Sequence, residues 1–437
     1  ADVGFNGSDD IITPNIDRIA HEGTKFTNGY VSYAVCGPSR AGLLTGRYQG
    51  RFGFGRNPVI DSSDKKSGMP LSEQMISEVL KPVGYTSGII GKWHMGTHPQ
   101  FHPNKRGFDH FYGFLSGGHQ YFAQDLVFNS IEEAEGNFGW YKTKIMENNK
   151  RVETSSYLTD EFSNEAVKFI EVNKDRPFYL NLAHWAPHNP LQALKADYDS
   201  LPQIENHTER VYAAMIKSLD RSVGRVTQAL KDNGIEDNTM VIFVSDNGGT
   251  NMINLPEINQ PYRGWKITFF EGGIRTPFFV KWPAQLAPGT VVKDPVHHTD
   301  IFPTIAAASG AQLPINTKLD GVNLLPHAQG QTTGALHQAL FWRHNHYQAV
   351  LSDGWKLQVT GKPGKSWLFN LNEDPTEQVN LVEQHPEKVK ALTTLLAQHN
   401  SEQMDARWES ILEVPVNVDK TDAMGWAQGD EFVYYPN

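Results

Sequence analysis

Four short apolar runs constrain this 437-residue chain more than any other feature: residues 85–91 (YTSGIIG), 177–183 (PFYLNLA), 240–245 (MVIFVS) and 277–281 (PFFVK). Each has the length of a strand, is enriched in β-branched or aromatic residues and lacks polar alternation, which predicts strands buried on both faces. Helical patterns lie between them. Leu71, Met75, Ile76, Val79 and Leu80 follow Pro70 and end near Pro82. Val211, Met215, Leu219, Val223, Val226 and Leu230 form a longer stripe closed by Gly234. Strands alternating with helices predict an α/β fold: a doubly wound, mainly parallel sheet flanked by helices. From about Leu336 the segments shorten and alternate, at 339–342, 348–351, 355–359 and 366–371, and a helical stripe follows at 386–400. A smaller C-terminal antiparallel α+β domain is expected there, so the chain divides into 1–335 and 336–437.

In sheets of this kind the ligand sits at the carboxyl ends of the strands. Reading on from three of the runs gives Lys92-Trp93-His94, then His184 to His188, then Asp246-Asn247-Gly248-Gly249. Titratable groups therefore follow three separate buried strands. The only cysteine, Cys36, lies in VCGPSRAGLLTGR (35–47). Pro38 suits the first position of a helix that Gly46 closes, which places Cys36 at the helix N-terminus. Backbone N–H groups and the helix dipole favour an anion and an ionised nucleophile there.

Composition removes several classes of function. A net charge of −10 without a basic block excludes a nucleic acid partner. One cysteine excludes an internal disulfide framework and a Cys-built zinc site. No run of eighteen apolar residues is present, so no membrane span is expected, and the opening ADVGFNGSDD carries no secretory signal.

Cys36-x-Pro38-Ser39-Arg40 followed by Thr45-Gly46-Arg47 resembles the signature of the type I sulfatases of the alkaline phosphatase superfamily. In those enzymes a dedicated maturation enzyme oxidises the cysteine to formylglycine, whose hydrate attacks the sulfur of a sulfate ester. The resemblance continues through 13–17 (TPNID), Gly23-x-x-Phe26, 91–96 (GKWHMG), 188–192 (HNPLQ), 246–249 (DNGG), Arg263-Gly264-x-Lys266, Glu271-Gly272-Gly273-x-Arg275 and 367–381 (WLFNLNEDPTEQVNL). It implies catalytic or sulfate-binding roles for Cys36, Arg40, Lys92, His94, His188 and Lys266. It also implies ligation of one divalent cation, calcium, by Asp246 and Asn247. The partners it implies are a sulfated carbohydrate and a formylglycine-generating enzyme, and the compartment is periplasmic or extracellular.

The family's adjacent aspartates, in a D-D-x-G-[YFW] motif after its first strand, have no clear counterpart. Asp9-Asp10 is followed by Ile11-Ile12-Thr13-Pro14 rather than a glycine turn, and Asp2-Val3-Gly4-x-x-Gly7 fits the family's D-[VL]-G-x-x-G stretch just downstream of the pair. The expectation is a first strand, bearing both carboxylates, upstream of Ala1. Aromatic and polar residues at 116–122 (SGGHQYF) and 341–346 (FWRHNH) nominate His119, Arg343 and His344 as contacts to a sugar leaving group. The sequence leaves two rivals to a carbohydrate sulfatase: a phosphonate or phosphate ester hydrolase of the same superfamily, and a non-catalytic glycan-binding relative.

Overall fold

A computed structural model of the chain describes residues 3–7, 10–122, 144–410 and 413–436. Three of the apolar runs form strands near the expected bounds, Thr86–Lys92, Phe178–Ala183 and Val241–Val244, and the fourth forms Phe278–Lys281. Thr86–Lys92 lies between His110–Phe114 and Phe178–Ala183, parallel to both, in a five-stranded sheet finished by Met146–Glu147 and Lys150–Arg151. Side chains alternate across it. Ile90, Tyr112 and Phe114 meet Phe162, Ala166 and Phe169 of the helix Leu158–Asn173, and Met215 of the helix His207–Asp232. Ile89, Phe111 and Trp93 face Ala41, Leu44 and Met75 on the other side. Burial on both faces is what the unbroken apolar runs require.

A second, four-stranded sheet has the order Thr290–Val292, Thr24–Phe26, Phe278–Lys281, Val241–Val244. Phe278–Lys281 runs antiparallel to both its neighbours. A run buried on both faces carries no mark of its direction, and this sheet is mixed around an internal antiparallel strand. The helix expected after Pro70 is shorter than its stripe and spans Ile76–Leu80, because the Glu78 carboxylate accepts the Met75 N–H at 2.8 Å and caps the helix there. Among the described residues no helix is long and apolar enough to cross a membrane.

The C-terminal part is an antiparallel meander of Leu340–His344, Tyr347–Ser352, Trp355–Thr360 and Lys365–Asn370. Val350, Leu357 and Leu368 on one face bury Leu392 and Leu396 of the helix Pro386–Asn400. The opposite face, with Trp342, Ala349 and Trp367, packs on Tyr30, Val31 and Phe270. A last hairpin, Glu413–Asn417 with Phe432–Pro436, joins this core through Val416, Val433 and Tyr435.

Among the described residues the five-stranded sheet and the second, four-stranded sheet do not join: each ends on a strand with a single partner, Phe178–Ala183 in one and Val241–Val244 in the other. Both strands line a cavity of about 1000 Å³. Phe178, Leu180, Leu182, Ile242 and Val244 are only half-buried along it. His184 Nδ1 and Trp282 Nε1, on residues that line it, are buried without a hydrogen-bond partner among the described residues. Ordinary strand spacings give roughly 160 Å³ per residue, so the cavity has the volume of about six residues of strand.

Candidate active site

Cys36 opens the helix Cys36–Thr45, which Gly46 closes at φ 67°. Pro38 is the third residue of that helix rather than the first, a position whose N–H has no partner within the helix in any case. The Gly37 N–H donates to Asn57 Oδ1 at 3.0 Å, and a Cβ on Gly37 would stand 2.8 Å from that oxygen, so only glycine allows this approach.

The buried sulfur of Cys36 lies 3.1 Å from Lys266 Nζ, and the same ammonium lies 3.1 Å from His188 Nε2. His188 Nδ1 is 2.8 Å from the Asn189 carbonyl. Assigning the proton to Nδ1 leaves Nε2 with a free lone pair, which accepts from Lys266. The imidazole stacks on Trp185 at 3.9 Å, and the Lys92 ammonium lies 4.7 Å over the same indole. Lys92 ends the strand Thr86–Lys92, and His94 follows at φ 60°. A Cβ on Gly117 would be 2.7 Å from His94 Nε2, so that glycine leaves room for the ring.

Burial dominates the protonation of these groups. It pulls Lys92 down to about 8, and His94 and His188 down to about 4, so both imidazoles are neutral near pH 7. Burial alone would raise the Cys36 thiol. The Lys266 and Lys92 ammoniums, with hydrogen bonds to His188 and His94, outweigh it and hold the thiol well below its ordinary value. The pocket is therefore built for negative charge at position 36 and beside it.

Arg40 joins two strand ends. Its Nε lies 2.8 Å from Asp246 Oδ2, and its Nη1 donates to the Lys92 carbonyl at 2.9 Å. Ser39 Oγ donates to the Asp246 carbonyl. Next in the chain, Asn247 Oδ1 is buried without a partner among the described residues. An orphaned amide oxygen beside a carboxylate suits a hard divalent cation, which takes only oxygen ligands. Calcium takes six to eight of them, however, and no cluster of three or more His, Cys, Asp or Glu side chains able to hold a metal occurs among the described residues. Asp246 and Asn247 alone would not complete such a donor set. Asp2 and Asp9 lie outside the described residues, and Asp10 is exposed.

The three residues nominated for sugar contact separate. His119 lies close to the cluster: its carbonyl accepts from Trp185 Nε1 at 2.7 Å. His344 is buried, with Tyr33 and Tyr435 against its ring at 5.6 and 5.1 Å. Arg343, on the opposite face of the same strand, donates to the Met404 carbonyl and to Asp405. Asn57, Trp185 and Tyr435 were not legible as site residues. Tyr435 accepts from Asn57 Nδ2 at 3.4 Å, and burial followed by the Cys36 charge raises its phenol. These contacts join positions up to 378 residues apart, a separation that leaves no local pattern.

With this geometry in hand, the similarities of the chain become informative. A family profile described as "Sulfatase" matches residues 1–311, and one described as "N-sulphoglucosamine sulphohydrolase, C-terminal" matches 264–405. The chain is 32% identical to arylsulfatase J of Mus musculus, over 93% of this chain and 75% of that one. It is 32% identical to N-acetylgalactosamine-6-sulfatase of Homo sapiens, over 98% and 87%. The crystal structure of Ps i-CgsB in complex with k-i-k-neocarrahexaose superposes with a TM-score of 0.86 at 38% identity, over 93% of this chain and 91% of that one.

Proposed function

The chain belongs to the sulfatase family and is a sulfuric ester hydrolase, and on that premise we propose that it desulfates a carbohydrate polymer, such as an algal galactan or a glycosaminoglycan, through a formylglycine made from Cys36. Support for a carbohydrate comes from a relative named for N-acetylgalactosamine and from a similar structure that holds a neocarrahexaose. The observation that carries the chemistry is the convergence of Lys266 and His188 on the Cys36 sulfur.

A formylglycine hydrate at position 36 would supply one hydroxyl that attacks sulfur and a second whose loss of a proton would expel sulfate and restore the aldehyde. Asp246 and Asn247 would supply part of the oxygen ligands of a calcium ion, whose charge would lower the pKa of an attacking hydroxyl at residue 36. Lys92 and Lys266 set two ammoniums against the sulfuryl oxygens, a preorganised term that requires no reorientation during reaction. Lys266 gives a proton to the leaving alcohol oxygen, and His188, whose Nε2 accepts from that ammonium, positions it. His94, neutral at its ring, accepts the proton released when sulfate departs. Arg40 orients residue 36 from a guanidinium fixed by Asp246 and the Lys92 carbonyl.

We assign the catalytic domain to 1–335 and the smaller domain to 336–437, and place the enzyme in the periplasm or outside the cell, where such polymers are met. A formylglycine-generating enzyme is its maturation partner. We further assign the cavity between Phe178–Ala183 and Val241–Val244 to a strand that would bring further carboxylates toward Asp246 and Asn247. The test of the central reading is intact-mass analysis together with Cys36→Ala. Maturation makes residue 36 about 18 Da lighter (thiol to aldehyde), and Cys36→Ala abolishes turnover with the melting temperature unchanged. Activity retained in Cys36→Ala would end this mechanism.

A further inference from the structure

The loop between the last two strands, residues 418–431, is bolted to both segments that build the sulfate site. Downstream of Asn247, Asn251 Nδ2 donates to Asp422 Oδ1 at 2.8 Å, and Asn254 Oδ1 accepts the Ala423 N–H at 2.8 Å. Upstream of Lys266, Arg263 pairs through both arms of its guanidinium with Asp419, at 2.6 and 2.7 Å, and reaches Glu431 at 2.6 Å. The loop is also cross-braced: Lys420 Nζ donates to Asp430 at 2.8 Å and to the Gly425 carbonyl at 3.2 Å, and the Ala427 N–H donates to Asp430 at 2.8 Å.

This rigid frame holds Trp426 in solvent. The indole is 53% exposed and stands edge-on to Phe432 at 5.6 Å, which in turn meets Tyr434 at 5.6 Å. Ordering a polar loop costs conformational entropy that burial of apolar surface usually offsets. Here the largest apolar group of the loop remains half in water, so its own burial offsets little of that cost. The three acids nearest the indole in sequence, other than Asp422, are matched by three cations: Asp419 and Glu431 by Arg263 together with Lys365 on Glu431, and Asp430 by Lys420. An anionic polymer would therefore meet little uncompensated negative charge.

From the double anchoring and the presented indole we infer that Trp426 is a sugar-stacking platform, a subsite for a ring of the polymer beyond the one that carries the scissile sulfate. The flat apolar face of a pyranose matches an indole held edge-on by its neighbours, and the anchors fix the platform relative to Lys266 and Asn247. The inference rests on the carbohydrate reading above and adds the residue that makes the enzyme favour a chain over a single ester.

The test compares kcat/KM on a sulfated galactan or glycosaminoglycan hexasaccharide with kcat/KM on a small aryl sulfate, for the mature enzyme and for Trp426→Ala and Trp426→Phe. Trp426→Ala is expected to lower the ratio of the two about tenfold, mainly through KM on the hexasaccharide, and Trp426→Phe to restore most of it. An unchanged ratio in Trp426→Ala, with the wild type active on a hexasaccharide, overturns the platform and leaves the carbohydrate reading intact. A wild type that turns over aryl sulfate but no hexasaccharide of either class overturns both. An equal loss on both substrates, unrepaired by phenylalanine, assigns Trp426 to the fold and also overturns the platform.

Discussion

The ammonium of Lys266 stands 3.1 Å from the sulfur of Cys36, although 230 residues separate them. The loop that carries Lys266 is held at two points by the C-terminal part of the chain: Arg263 by Asp419 and Glu431, and Glu271 by Lys356. The C-terminal part of the chain is therefore structurally coupled to the surroundings of Cys36 even where it contributes no group to them.

Removing that ammonium should cost transition-state stabilisation more than ground-state affinity, because charge on the bridging oxygen grows as the ester breaks. Lys266→Ala is expected to lower kcat by roughly 10²–10³, the scale of a lost preorganised donor, with a smaller change in KM. Steady-state kinetics on an aryl sulfate measures it. A substituted enzyme with near wild-type kcat would remove Lys266 from the reaction.

Lys92 sets an alkaline limit. Its conjugate acid carries the charge, and burial brings the pKa down to about 8, so anion affinity is present below that pH and is lost as pH rises through it. Inhibition by inorganic sulfate should weaken progressively above about pH 8. Lys92→Arg, whose charge does not titrate in this range, should flatten the profile. An inhibition constant in the wild type that holds steady to pH 9.5 would contradict the role given to Lys92.

Behind the Lys266 loop, Lys356 Nζ lies 2.8 Å from Glu271 Oε1 and 3.0 Å from Glu377 Oε1, all three side chains without solvent exposure. Burial pushes Glu377 up to about 7, while the adjacent cations hold Glu271 down. Deleting the cation leaves buried carboxylates facing each other, which typically costs about 3–5 kcal/mol. Lys356→Met should show that loss in denaturant unfolding, and Lys356→Met with Glu377→Gln should recover part of it. No recovery in the double variant would mean that packing, not charge, accounts for the loss.

Much of this site could be read from the sequence because its residues sit where buried strands end. Lys92, His188 and Asp246 follow three apolar runs, and Gly46 marks the close of the helix that Cys36 opens. What escaped was set by tertiary contact. Trp185 lies inside the His184 to His188 stretch, yet its place beneath both Lys92 and His188 depends on how the strands pair. Asn57 and Tyr435 meet only once the last hairpin folds back. The direction of Phe278–Lys281 was equally hidden, since a strand buried on both faces reads the same either way. The start of Ile76–Leu80 was misjudged because the apolar stripe begins before the Glu78 cap.

The unpaired edges of Phe178–Ala183 and Val241–Val244 give the last prediction. An open strand edge beside an apolar cavity is a template for another strand, and Asn247 Oδ1, just beyond one of them, has no partner among the described residues. A segment of about six apolar residues ending in two aspartates, fused ahead of Ala1, should pair with both edges and set its carboxylates near Asp246. Amide exchange across 178–183 and 241–244 is then expected to slow by about a hundredfold or more, because pairing replaces local opening with subglobal unfolding. Calorimetry should at the same time detect calcium binding that Asp246→Ala removes. Exchange that stays fast in the fused protein would show that the cavity is not a strand site. Slow exchange without calcium binding would keep the strand and remove the carboxylates from the cation's ligand set.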